Sequence, residues 1–164
     1  MDKAYAMFRV VLEEHYATHE VVPTKGCLQL FKFLNENGVK IALTTGFYRK
    51  IITIILRKLG WNHGLDKTWK GIKDSMLQLS LSSDDVNNGR PAPDLIYLAM
   101  RKLGVSDPRR VIKIGDTPSD LESGVKAHCL MSLGLTNGTH SRKQLLGYRC
   151  DGLLSSLEEL LVLL

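Results

Sequence analysis

The chain has 164 residues, of which 44% are hydrophobic and 24% charged, and its formal net charge is +5. This composition is typical of one globular domain with a sizeable core and excludes a disordered chain. The basic residues form no long run and are not interleaved with aromatic residues, which argues against a nucleic-acid surface. The net positive charge would also suit an anionic substrate.

The predicted elements alternate between helices and short strands. Residues 3–19 are predicted to form an amphipathic helix, whose apolar stripe comprises Tyr5, Phe8, Val11, Leu12 and Tyr16. Further helices are predicted over residues 27–37, 46–60, 93–103, 118–128, 141–147 and 155–164, the last with a capping box between Ser155 and Glu158. Strands are predicted over residues 39–45, 76–82, 110–115 and 129–135, with a final turn or strand at 151–156.

Strands that alternate with helices predict an α/β fold, with a Rossmann-like parallel sheet covered by helices on both faces. Ligands of such sheets bind outside the carboxyl ends of the strands. The residues that follow each predicted strand are therefore the candidates for function.

Two of the strand ends carry groups suited to an anion. Thr44, Thr45 and Gly46 lie where the first strand ends and a helix begins. Hydroxyls and free backbone N–H groups there can bind phosphate, although a threonine at this position is also a common helix N-cap. Arg90 follows the second strand between a glycine and a proline. Its guanidinium could pair with two phosphate oxygens, or it could be an exposed loop residue.

The third strand ends in "GDTPSD", which places Asp116 at the strand end and Asp120 in the first turn of the next helix. Two carboxylates so placed can hold Mg²⁺, which prefers oxygen ligands. Each aspartate alone could instead cap the helix or interact with its dipole, but that explains the pair, with Thr117 between them, less well. Hydrogen-bond donors, a cation and a metal site are the parts that phosphoryl transfer requires.

These motifs and their order resemble those of the haloacid dehalogenase (HAD) superfamily of phosphohydrolases, in particular its phosphonatase-like branch, related to phosphonoacetaldehyde hydrolase. "VKIALTTGF" resembles the second motif and "GRPAPDLIYLAM" the third, with Arg90 where most members have lysine. "VIKIGDTPSDLESGVKA" resembles the fourth, which implies that Asp116 and Asp120 bind Mg²⁺. Thr44, Thr45, Gly46, Arg90 and Thr117 are then expected to contact the phosphoryl group, with Thr44 and Arg90 taking part in catalysis.

The resemblance also implies two parts of the fold. "HYATHEVVPTKG" is similar to the end of a helical cap and its return to the core. Residues 1–20 are therefore expected to be the last helix of a truncated cap, and residues 21–164 the HAD-like core without its first strand.

One motif of the superfamily does not occur in the 164 residues. Members begin with a strand that ends in D-x-x-G-T or D-x-D-G-T, whose first aspartate is the nucleophile, and "GLDKTW" and "LSSDDV" lack the strand before and the G-T after. The Schiff-base lysine of the phosphonatase cap cannot be assigned either. The resemblance places the missing strand between the first and third predicted strands. Those two strands are expected either to pair directly or to leave a gap, which another copy or a separate N-terminal fragment fills.

Other features of the sequence concern the cellular compartment and a possible zinc site. Cys27, Cys129 and Cys150 lack C-x-x-C spacing and are odd in number, so we expect reduced thiols and a cytoplasmic protein. We expect neither a signal peptide nor a membrane span. His15 and His19 are four residues apart on a helix but have no third ligand at a suitable spacing for zinc.

Two functions remain open from the sequence. The first is a Mg²⁺-dependent phosphohydrolase that acts on a small phosphate ester or phosphonate, with its nucleophile outside this chain. The second is a non-catalytic module that retains the phosphate and metal cleft. Whether this form is an enzyme depends on where the nucleophile comes from.

Overall fold

In the computed structural model, which describes residues 2–164, helices and parallel strands alternate as the sequence predicts. Two short 3₁₀ turns are Ser83–Asp85 and Pro108–Arg110. The helices are α1 (Asp2–Thr18), α2 (Cys27–Glu36), α3 (Arg49–Lys58), α4 (Asp94–Leu103), α5 (Pro118–Lys126), α6 (Arg142–Leu145) and α7 (Leu160–Leu163). The strands are β1 (Ala42–Thr44), β2 (Leu79–Leu81), β3 (Ile112–Gly115), β4 (Met131–Leu135) and β5 (Gly152–Leu154).

The five strands form two separate parallel sheets. Strand β1 pairs with β2, with Ala42 opposite Leu79, and β3, β4 and β5 form the second sheet in that order. Strands β1 and β3 do not pair with each other anywhere in residues 2–164, so direct pairing of these strands, one of the two expected arrangements, is wrong. Each of them has one strand neighbour and one unpaired edge.

A single apolar cluster nevertheless connects the two sheets. Ile41, just before β1, is buried in the same cluster as Leu133 and Leu135 of β4. Helix α2 covers the cluster with Phe31, whose ring centroid lies 5.3 Å from that of Trp61. The two sheets therefore belong to one folded unit.

The outer edge of β2 is covered by the preceding segment. The backbone N–H of Ser80 donates to Trp69, and that of Gly71 donates to Gln78, both at 2.9 Å. The predicted strand over residues 76–82 is longer than the observed β2, which begins at Leu79. Just before β2, the Gln78 side chain accepts a hydrogen bond from the Ile41 N–H at 2.7 Å. The outer edge of this sheet is therefore paired in part, whereas its inner edge is open.

The helical spacing of Phe47, Ile51, Ile54, Ile55 and Leu59 correctly predicts α3 as a helix, but the buried face is rotated from this apolar stripe. Ile51, Ile52 and Leu56 are buried, whereas Ile54 and Ile55 are half-buried. On α1, the first part of the predicted apolar stripe lies on the surface, with Tyr5, Phe8 and Val11 more than half exposed. The later part contacts the segment before α3, where the ring centroid of Tyr16 lies 5.5 Å from that of Phe47.

The end of the chain also differs from its prediction. Helix α7 is one turn long, and Ser155 pairs with Glu159 rather than with Glu158. Glu158 instead forms an ion pair of 3.1 Å with Lys25. The predicted capping box is therefore wrong, because the Glu158 carboxylate pairs with Lys25, just before α2, and not with Ser155.

The three cysteines are free, with Cys27 buried and the other two half-buried. Burial raises the pKa of the Cys27 thiol to about 11, so this group is protonated at neutral pH. None of the helices described over residues 2–164 combines the length and the apolar character that crossing a membrane would take.

Candidate functional site

Arg90 brings three segments of the chain together. It lies in the loop before α4, and its guanidinium Nη1 donates to the carboxylate Oδ1 of Asp120 in α5. A Cβ added to Gly46, in the loop after β1, would lie 2.8 Å from Arg90 Nη2. The loop after β1, the loop after β2 and the helix after β3 thus meet at one point, as the strand-end argument predicts.

Asp120 lies at the centre of this cluster and is 2% exposed. Besides Arg90, its oxygens accept hydrogen bonds from Lys113 Nζ at 2.7 Å and from the Thr117 hydroxyl at 2.6 Å. Burial acts to raise the pKa of this carboxyl, but the charges of Lys113 and Arg90 outweigh it and hold the pKa below its usual range. Asp120 is therefore a buried, ionised carboxylate.

Gly115 makes this burial possible. A Cβ at Gly115 would lie 2.2 Å from Cγ of Asp120, which is well inside van der Waals contact. The absence of a side chain at the last residue of β3 therefore allows α5 to set the carboxylate directly against the strand.

Asp116 occupies a more open position than Asp120. It is half-buried, and its Oδ2 accepts two hydrogen bonds from Thr139, from the backbone N–H at 2.7 Å and from the hydroxyl at 2.8 Å. A Cβ at Gly138 would lie 2.3 Å from the same oxygen, so the loop after β4 packs closely against this carboxylate. One face of Asp116 is thus fixed by the protein.

The threonines of the site differ in how far their hydroxyls are engaged. The Thr45 hydroxyl accepts a hydrogen bond from the Phe47 N–H at 3.1 Å and so helps to shape the turn before α3. Thr117 is the N-cap of α5, accepting from the Asp120 N–H at 3.2 Å while it donates to the Asp120 carboxylate. Thr44 is half-buried at the end of β1.

The residues present fit a Mg²⁺ ion only in part. Asp116 has one oxygen oriented by Thr139 and offers a carboxylate at the strand end. Both oxygens of Asp120 are already engaged by two cations and a hydroxyl, which leaves about one acceptor site, on Oδ2, for a metal. Within the described residues, no three His, Cys, Asp or Glu side chains form a group that could hold a metal.

Two residues of the cluster were missed by the reasoning from sequence. Thr139 follows β4, and the rule of reading the residues after each strand would have found it if it had been applied to "TNGTH". Lys113 lies inside β3, and its signal is a charged residue in the middle of an otherwise apolar parallel strand, where burial needs a partner.

His15 and His19 are exposed on the surface, unlike the residues of this cluster. Their rings stack with centroids 4.2 Å apart on the surface of α1, and His19 Nδ1 lies 3.0 Å from the His15 carbonyl oxygen. This is a local surface arrangement.

Comparisons with known proteins identify the family of the chain. The model of the family described as "haloacid dehalogenase-like hydrolase" matches residues 4–128. Among curated proteins, the phosphonoacetaldehyde hydrolase of Latilactobacillus sakei is 32% identical over 111 residues, which cover 68% of this chain and 38% of that protein. That of Parabacteroides distasonis is 33% identical over 118 residues, covering 72% of this chain and 40% of that protein. The matches thus span about 40% of the length of these relatives.

Solved structures share the fold. A HAD hydrolase of family IA, variant 3, from Entamoeba histolytica superposes with a TM-score of 0.77 at 21% identity, covering 96% of this chain and 66% of that one. A phosphonoacetaldehyde hydrolase like protein from Oleispira antarctica gives a TM-score of 0.72 at 19% identity, covering 98% and 63%. The chain belongs to the haloacid dehalogenase-like hydrolase family and resembles its phosphonatase-like branch.

Proposed function

We propose that this chain supplies the phosphate- and Mg²⁺-binding part of a phosphohydrolase that acts on a small phosphate ester or phosphonate. The observation that carries the proposal is the meeting of Arg90, Gly46 and Asp120, which joins three strand ends at one point. The curated relatives are phosphonoacetaldehyde hydrolases, which supports a phosphonate as one candidate substrate.

Each residue of the site has a role in this proposal. Thr44 donates its hydroxyl to a phosphoryl oxygen, and Arg90 places a positive charge beside the same group. The backbone N–H of Gly46 provides a further donor before α3, whereas that of Thr45 is donated to the Leu81 carbonyl oxygen at 3.2 Å. The hydroxyl of Thr117 faces the same cleft but is used by Asp120, so its contact with phosphate requires the exchange of that hydrogen bond.

Asp116 is the residue we propose to hold Mg²⁺, with Asp120 as a more distant carboxylate that keeps Arg90 in place. When bound, the ion would supply positive charge to the phosphoryl oxygens. Thr139 would orient Asp116 for this role, because its backbone N–H and hydroxyl both donate to one of the two carboxylate oxygens.

The nucleophile of the proposed reaction is an aspartate outside these 164 residues, since no D-x-x-G-T motif occurs in them. Without it, the covalent step of the reaction has no attacking group. The second candidate function is a non-catalytic phosphate-binding module. The missing motif favours this second function, which needs only the phosphate-binding contacts described above.

The sheet topology also suggests a partner strand for β1 and β3. Strands β1 and β3 each have one unpaired edge, and half-buried Leu43, Ile112 and Ile114 line the apolar core beside them. Unpaired strand edges bind further strands. We propose that a strand from a separate N-terminal segment, or from a second copy, pairs with these edges.

An assay on the purified chain tests the proposed function. With Mg²⁺ and either a general phosphate ester or phosphonoacetaldehyde, we expect no appreciable turnover but measurable binding of inorganic phosphate. Turnover that survives rigorous purification and disappears in Asp116→Ala would show that the chain carries its own nucleophile. Failure to bind phosphate would overturn both candidate functions.

A further inference from the structure

Lys113 has no role in the functions proposed so far, although it is buried in the cleft. It lies inside β3, and its side chain is 10% exposed. Its Nζ donates to Asp120 Oδ1 at 2.7 Å and to the Ile114 carbonyl oxygen at 3.1 Å. A buried lysine is costly unless it is paired, so this position needs an explanation beyond packing.

The explanation lies in the balance of charge among Lys113, Arg90 and Asp120. Lys113 and Arg90 donate to the same oxygen of Asp120, so the cluster contains two cations and one anion. Its net charge is +1. If Lys113 were neutral, Asp120 and Arg90 would form a neutral pair, and the charge of Arg90 would be balanced inside the protein.

The guanidinium of Arg90 also has a hydrogen-bond donor without an acceptor in the cluster. Its Nε is buried and has no hydrogen-bond partner among residues 2–164. Buried N–H groups are almost always paired in folded proteins. The guanidinium therefore still has hydrogen-bonding capacity after its ion pair with Asp120 has formed.

We propose that Lys113 is a positioning residue that balances the charge of Asp120, so that the charge of Arg90 remains available to an anionic phosphoryl group. Asp120 holds the guanidinium in place, and Lys113 prevents that contact from cancelling its charge. Lys113 acts through Asp120 and does not touch the ligand. The inference rests on the proposed phosphate site at Arg90.

A purely structural role for Lys113 gives a different expectation. If it served only to satisfy a buried carboxylate, its loss would lower stability but would leave the affinity of the folded protein for anions unchanged. If its charge matters, then removing the positive charge and the negative charge together should restore affinity. The comparison of single and double variants separates the two roles.

The experiment is a titration with inorganic phosphate, by calorimetry or NMR, of the unaltered chain, Lys113→Met, Asp120→Asn and the double variant. Lys113→Met should bind phosphate roughly tenfold more weakly, which is the order expected for one charge lost at several ångströms in a partly shielded site. The double variant should bind within about twofold of the unaltered chain, because its net cluster charge is again +1.

The double variant also covers the case in which Lys113→Met does not fold, because it removes both charges of the buried Lys113–Asp120 pair together and leaves only the charge of Arg90, whose side chain is 20% exposed. Asp120→Asn and the double variant differ only at Lys113, so Asp120→Asn should bind phosphate roughly tenfold more tightly than the double variant. Equal affinities in both comparisons would overturn the proposal.

Two control variants identify the source of a negative result. Lys126→Met removes the same charge from an exposed ion pair with Glu122 on α5 and should change affinity less than about twofold. An equal loss in Lys126→Met and Lys113→Met would reduce the effect to overall charge and overturn the inference. Arg90→Met should weaken binding by about tenfold or more. If it does not, the phosphate site itself is misplaced and the proposed function fails, whereas a loss in Arg90→Met without one in Lys113→Met rejects the role of Lys113 alone.

Discussion

Arg90 and Asp120 form an ion pair between the loop before α4 and the first turn of α5, thirty residues apart in the chain. The Asp120 side chain is 3% exposed and that of Arg90 is 20% exposed, so the pair is shielded from most of the solvent. The direction of the Arg90 guanidinium is therefore set by α5 as well as by its own loop. This relationship explains how a loop residue can act as a fixed part of the cleft.

Replacing Arg90 should weaken the binding of phosphate far more than replacing Arg101 does. Arg90→Ala removes a charged donor from a shielded site, which costs about 1.5–3 kcal/mol of binding free energy. Arg101 is exposed in the last turn of α4, and Arg101→Ala should have a small effect. Calorimetric titration of both variants with phosphate measures the difference, and equal losses would reduce Arg90 to an ordinary loop residue.

Adding a methyl group at Gly115 should destabilise the fold. The new Cβ would overlap the Asp120 carboxyl carbon, and forced overpacking of this kind typically costs about 1–3 kcal/mol of unfolding free energy. Gly89→Ala is the matched control, because a Cβ there meets nothing within 4 Å. Urea denaturation of the two variants checks the prediction, which fails if they are equally stable.

Stability should fall at acidic pH, and Asp120 should contribute to the fall. Since the charges of Lys113 and Arg90 hold its pKa below the usual range, the ionised carboxylate stabilises the folded state above about pH 4, and this contribution is lost as the pH drops through the folded-state value. In buffer with a chelator, thermal unfolding of Asp120→Asn should therefore depend less steeply on pH below about pH 4 than that of the unaltered chain. Parallel profiles for the two proteins would show that Asp120 does not contribute.

The open edges of β1 and β3 should make the stability of the chain low or dependent on its concentration. Association that covers these edges stabilises the folded state by mass action, so the denaturation midpoint should rise with protein concentration. Sedimentation analysis at the same concentrations should show larger species.

The C-terminal apolar residues offer a control for this prediction. Val162 is 87% exposed, and Val162→Lys should leave the association intact if the strand edges mediate it. Loss of association in this variant would place the contact at the C-terminus instead. A monomer that unfolds cooperatively and independently of concentration would contradict the account of the open edges.

The meeting of the strand ends was predictable because parallel strands have the same direction. Thr44 ends β1 and Asp116 follows β3, and that placement alone predicted that they lie at the same edge. The direction of Lys113 was not predictable in this way, since whether a strand residue faces a carboxylate depends on which helix crosses behind it. Here α5 brings Asp120 to that place, thirty residues from Arg90 in sequence.

The end of the chain shows a second limit of local patterns. Ser155 and Glu158 have the spacing of a capping box, but Lys25, distant in sequence, attracts Glu158. The amphipathic pattern of α3 indicated a helix but misplaced its buried face, because Ile52 and Leu56 pack into a core that the two sheets share. Such contacts arise only when the whole fold is assembled.

The central claim, that the strand-end cleft binds phosphate and metal, is tested most directly by NMR titration of the labelled chain with phosphate and then with Mg²⁺. We predict that phosphate first shifts the signals of Thr44–Gly46 and Arg90, and that Mg²⁺ first shifts those of Gly115–Asp120, weakly because Mg²⁺ gives up its waters reluctantly. A different basic cavity, of about 400 Å³ and lined by Lys40, Lys70, Arg101 and Lys102, provides an internal alternative. First shifts from phosphate at that cavity, or from Mg²⁺ at His15 and His19, would contradict the account.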